Sequence, residues 1–154
     1  MRRAGSVAVL VALLLLAGCG ADEPKVPPTP TLSPLQVELN AAAEAWQAAG
    51  IDDYTMEINF RHPGWNVQTL SVEVRDGQPE IKNHGCFPER TCAKRDVEAG
   101  RLTIDNIIAE VQAAAGRGLV QHVVYHEAFH FPRIAEVRKE ASWEVSNFQL
   151  LTEP

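Results

Sequence analysis

The stretch Tyr54-Thr55-Met56-Glu57-Ile58-Asn59-Phe60-Arg61 alternates without a fault. Tyr54, Met56, Ile58 and Phe60 fall on one side of an extended chain, and Thr55, Glu57, Asn59 and Arg61 on the other. A period of two predicts a strand with one buried and one wet face. That pattern belongs to an antiparallel sheet covered on one side. His62-Pro63-Gly64 breaks the strand. Leu70, Val72 and Val74 alternate again, and Asp76-Gly77 is a hairpin signal. A third, short strand is expected around Ile81, with Pro79 marking it as an edge. His84 to Asp96 reads as a loop.

On the N-terminal side, Ser33-Pro34 opens a helix, serine as cap and proline at the first position. Leu35, Leu39, Ala42, Trp46 and Ala49 form its apolar stripe, with Trp46 as core anchor, and Gly50 stops it. On the C-terminal side, Thr103 caps a second helix, and Leu102 is placed to staple onto Ile107. Ile104, Ile107, Ile108, Val111 and Ala115 form the buried stripe, and Gly116 and Gly118 end the helix. Strands are expected at Val120 to His126, Ile134 to Val137 and Trp143 to Leu150. The last slips once in its alternation, as at a bulge. The fold class is therefore α+β: an antiparallel β-sheet with two helices packed on one face, in the order α-β-β-β-α-β-β-β. The doubled order hints at a structural repeat, although no residue pattern recurs.

Further out lies a different kind of segment. Arg2 and Arg3 precede the apolar run Val7 to Ala17. Eleven helical residues reach about 16 Å, short of a hydrocarbon core of about 30 Å, so the run reads as a signal-peptide core. Leu16-Ala17-Gly18-Cys19 looks like a lipobox, at which a diacylglyceryl group is added to the Cys19 thiol and the chain is cut before it. Residues 1–18 are then the lipoprotein signal peptide. Two acyl chains anchor stably, each buried methylene contributing about 0.8 kcal/mol. Residues 19–34 are the lipidated cysteine and a linker holding Pro24, Pro27, Pro28, Pro30 and Pro34. Extended polyproline of this length spans up to about 45 Å. Residues 35–154 are one extracytoplasmic α+β domain. The expected place is the cell membrane, lipid-anchored and facing away from the cytoplasm.

The chain carries 14 Lys and Arg against 20 Asp and Glu; without Arg2 and Arg3 the balance is 12 against 20, or −8. An acidic chain lacking a basic stripe argues against nucleic acid as partner. With Cys19 assigned to lipid, Cys86 and Cys92 remain as an even pair in an oxidising compartment. Their spacing is not the Cys-x-x-Cys of redox or zinc sites, so a structural disulfide is expected.

The residues resemble a family of small, uncharacterised bacterial secreted proteins and lipoproteins, a domain of unknown function (number 6174). The matching features are Ala45-Trp46, Asp53-Tyr54-Thr55, Val72-x-Val74-x-Asp76-Gly77, Leu102-Thr103-Ile104-Asp105, Val123-Val124-Tyr125, and Pro132 with Ile134. They cover residues 38 to 151. The resemblance implies an extracytoplasmic α+β domain and no known activity. Members often carry a glycine before the equivalent of Pro132, where this chain has Phe131.

One motif suggests chemistry. His126-Glu127-x-x-His130 has the spacing by which a helix presents two imidazoles to zinc and a glutamate to the bound water. Val123, Val124 and Tyr125 favour a strand, as the family resemblance also implies, and Pro132 interrupts any helix that would continue past His130. On a strand, His126 and His130 would lie about 13 Å apart, too far to share one metal. A structural hairpin is the expectation, with no catalytic residue and no cofactor. The reading is a non-enzymatic, membrane-anchored lipoprotein that binds an unidentified protein or envelope partner. The alternative is a zinc-dependent hydrolase with His126 and His130 as ligands and Glu127 as base.

Overall fold

The alternating stretch is strand β1 (Tyr54–Arg61) of a six-stranded sheet in the computed structural model, which describes residues 32–61, 66–138 and 142–151. Helix α1 (Pro34–Ala49) precedes it. Strands β2 (Val67–Arg75) and β3 (Gln78–Phe87) follow, then a single 3-10 turn (Ala99–Arg101) and helix α2 (Ile104–Gly116). Strands β4 (Val120–Tyr125), β5 (Pro132–Val137) and β6 (Ser142–Leu150) complete the sheet. The strand order is β3-β2-β1-β6-β5-β4, every neighbouring pair antiparallel. The fold is α+β with the element order expected from the sequence. The leader, Cys19 and the linker up to residue 31 lie outside the described residues.

Local chemistry sets the element ends. Ser33 Oγ accepts the Gln36 amide (3.2 Å) while Gln36 Oε1 accepts the Ser33 amide (2.8 Å), a reciprocal cap. Gly50 ends α1 at φ 58°, a left-handed conformation that costs glycine nothing. Thr103 Oγ1 caps α2 through the Asn106 amide. At the β2–β3 turn both Asp76 and Gly77 have positive φ, the mirror-image turn that matches strand twist.

Both helices bury most of their stripes on the same side of the sheet, but Ala49 is exposed at the end of α1 and Ala114, not Ala115, is the buried alanine of α2. Leu39 and Trp46 from α1 and Ile104, Ile107, Ile108 and Val111 from α2 join Tyr54, Met56, Ile58, Leu70, Val72 and Val74 in one cluster. Two side-chain bonds lock the α2 start to this core. Tyr54 Oη accepts the Ile104 amide at 3.0 Å, and Trp46 Nε1 donates to Asp105 Oδ2 at 3.1 Å. Burial pushes the Tyr54 phenol up to about 12, so it remains a neutral acceptor.

Three expectations change. β3 is a ten-residue strand rather than a short one, and His84 to Phe87 belong to it rather than to a loop. Its register shifts opposite Ser71 and Val72, which lets the edge strand continue past the irregularity. Pro79 does sit on an edge. The repeat is not realised either. The halves have the same lateral strand order, but equivalent strands run in opposite directions while both helices cover one face. Only a mirror operation would relate such halves, and no rotation of L-residue chains is a mirror. The slip in β6 is a bulge: Asn147 stands at φ 50° where the β1–β6 register shifts between Thr55 and Glu57.

Candidate functional site

The His-Glu-x-x-His segment is a hairpin corner, not a helix. His122 is exposed on β4, and β4 ends at Tyr125. The corner closes through His126 N–H to Phe131 O (2.8 Å) and His130 N–H to His126 O (2.9 Å). His126 Nδ1 accepts the amides of Ala128 and Phe129, both at 3.3 Å, so one metal-capable nitrogen already serves the turn. Its ring stacks on Phe129 and Phe131 with centroids at 5.3 and 4.8 Å. Glu127 is exposed, and His130, at φ 57°, lines an open groove with Tyr125, Glu38 and the alanines of α1. Among the described residues no group of three or more His, Cys, Asp or Glu could hold a metal ion. The corner therefore lacks the helical presentation on which the zinc chemistry depends, and its polar atoms shape a turn.

Burial holds the His126 imidazole below its ordinary 6.5, the Arg133 guanidinium and His130 adding to this and Glu127 opposing it. The unfolded chain therefore takes up this proton first as pH falls. The stability from neutral His126 is complete above about 6.5 and is lost below it, until the folded pKa is also passed. We expect the wild type to lose denaturation midpoint between pH 7.5 and pH 5 more steeply than His126→Phe. Parallel slopes in urea titrations would refute this.

The cysteine segment lies elsewhere on the core side. Cys86, on β3, and Cys92 are at disulfide distance, with Cα atoms 5.8 Å apart. Closing so short a loop contributes about 2 kcal/mol by chain entropy. Gln68 is fully buried, and its Nε2 donates to Arg95 O (2.9 Å) and lies 2.8 Å from His84 Nε2. Lys94 Nζ donates to His84 O at 2.6 Å. Disulfide, glutamine and lysine together strap residues 86–95 to the sheet. The strap fixes where the next residues run.

Those residues wall a cavity of about 350 Å³. Phe60 and Trp143, opposite one another on the central β1–β6 pair, give it an aromatic floor, with Leu102 and Ile107 beside them. Arg95, Asp96 and Glu98 come from the strapped segment, Arg101 from the 3-10 turn, and Glu110 and Arg117 from α2 and its end. Arg101 is ion-paired with Glu110. The arrangement can hold a small molecule with an apolar face against the rings and polar groups toward the rim; its volume is within the range of roughly 300–1,000 Å³ usual for such sites.

Reading the sequence singled out none of these residues as a site. Phe60 and Trp143 read as strand residues and Ile107 as part of a helix stripe, while Arg95 and Asp96 read as loop. The only local signal was the clustering of charges just after Cys92. Cys86 and Cys92, by contrast, are brought together as expected.

The described residues contain no helix long and apolar enough to cross a membrane. Among curated proteins and among solved structures nothing matches the chain. A family model does: Family of unknown function (DUF6174), over residues 38–149.

Proposed function

Because the chain belongs to this family, whose description carries no activity, we propose its function from the leader and the cavity: a membrane-anchored extracytoplasmic lipoprotein whose domain is a non-enzymatic binding module. The cavity under α2 is the observation that carries the binding role. It joins an aromatic floor, against which an apolar face can lie, to a rim of charged side chains that can fix a ligand's orientation. Its wall is fastened by a disulfide and a buried glutamine, so the site is largely formed before a ligand arrives. The anchor rests on the basic leader, the eleven-residue apolar run and the Leu16-Ala17-Gly18-Cys19 box, with the proline-rich linker as spacer.

Two measurements test the two halves. Cys19→Ser should move the protein from the membrane fraction to the soluble extracytoplasmic fraction; unchanged membrane association would refute lipid anchoring. Hydrogen exchange on the full-length protein, with and without a low-molecular-mass envelope extract, should show ligand protection at residues 95–102. Protection confined to another part of the fold, or none, would remove the binding role from this cavity.

A further inference from the structure

We propose that the cavity between α2 and the β1–β6 pair takes a neutral saccharide unit, an inference that rests on the binding role assigned above. The charges of the rim carry it. Among the described residues the cavity is lined by three guanidiniums, of Arg95, Arg101 and Arg117, and three carboxylates, of Asp96, Glu98 and Glu110. The two signs balance, three against three. Arg95 and Asp96 are consecutive, and Arg101 is bonded to Glu110.

This pattern discriminates among ligand classes. An anion would meet three carboxylates beside its guanidinium partners, and a cation would meet the converse. A wholly apolar ligand would desolvate rim groups without replacing their hydrogen bonds, which is costly. A polyol suits all of these constraints. Each hydroxyl both donates and accepts, so it can bond to a carboxylate and a guanidinium side by side.

The floor supplies the other half of saccharide recognition. A pyranose ring has an apolar C–H face, and the negative faces of aromatic rings attract its slightly positive hydrogens. Phe60 and Trp143 lie together at the base of the cavity. A volume of about 350 Å³ suits a mono- or disaccharide, or the end of a longer glycan.

The test uses the full-length protein in a detergent without a sugar headgroup. Saturation-transfer NMR and calorimetry are run with glucose, N-acetylglucosamine and maltose, and with glucose 6-phosphate and glucosamine as charged analogues. At least one neutral sugar should bind, and its charged analogue should bind at least tenfold more weakly. Arg95→Ala, on the rim, should weaken binding at least fivefold. Trp143→Phe keeps a ring in the floor and should weaken it less than Trp143→Leu, each variant first checked for an unchanged circular dichroism spectrum. A soluble glycan fragment binding better than any free sugar would place the ligand at a polymer end and still support the inference. Failure of every neutral sugar and glycan fragment, tighter binding of a charged analogue, or indifference to Arg95→Ala would overturn it. If a charged ligand protects residues 95–102 in the exchange experiment, the saccharide inference falls and the binding module stands. If nothing protects them, both fall.

Discussion

Trp46→Ala is expected to lower the stability of the folded domain by about 3–5 kcal/mol, a large share of the roughly 5–15 kcal/mol typical of a domain. The indole is 2 % exposed and packs edge-on against Tyr54, Phe131 and Phe148 at centroid distances of 5.7, 5.6 and 6.0 Å. Truncation leaves a cavity among rigid rings that cannot collapse into it. It also removes the Trp46 Nε1 bond to Asp105, and so one of the two side-chain bonds that hold the α2 start. Trp46→Phe restores most of the volume but not that bond. The double-mutant cycle of Trp46→Phe with Asp105→Ala should therefore show a coupling of about 1 kcal/mol. Equilibrium urea denaturation measures all of these. A loss under about 1 kcal/mol for Trp46→Ala would mean that the aromatic cluster is not the centre of the core.

The second large effect is expected at Phe131→Ala, also about 3–5 kcal/mol, seen as a fall of about 10–20 °C in the melting temperature. Phe131 has no exposed surface, lies against the His126 ring, and contacts Phe148 at 5.1 Å. It is the residue that turns the hairpin corner into part of the core. With Phe131 gone, His126 loses a stacking neighbour and gains water, so the acid-side loss of stability described above should become shallower in this variant. A normal melting temperature in Phe131→Ala would show that the corner is peripheral to the fold. These two substitutions report on one cluster, and their effects should not add.

What the sequence made legible is what local chemistry decides. The alternation of β1, the Ser33 and Thr103 caps and the Asp76-Gly77 turn each depend on residues within a few positions, and each appears where expected. The strand character of Val123 to Tyr125 together with Pro132 was enough to argue against a zinc helix. What was not legible depends on partners far along the chain. The length of β3 follows from a register shift against β2, which β3's own residues do not announce. Gln68 occupies the buried face of β2, in line with Leu70 and Val72, because His84 and Arg95 meet it there. The cavity has no sequence motif at all. Its floor comes from two strands distant in sequence and its rim from a segment positioned by a disulfide, so only the folded chain brings them together.

The central pairing of β1 with β6 has a consequence for the order of events in folding. β1 ends at Arg61 and β6 begins at Ser142, so the two middle strands of the sheet come from opposite ends of the domain. Until the last strand emerges, β1 has only β2 beside it, and β5 has only β4. Two half-sheets of three and two strands, each with an open inner edge, are all that the growing chain can make. Closing them requires a loop of some eighty residues, an entropic step that slows folding.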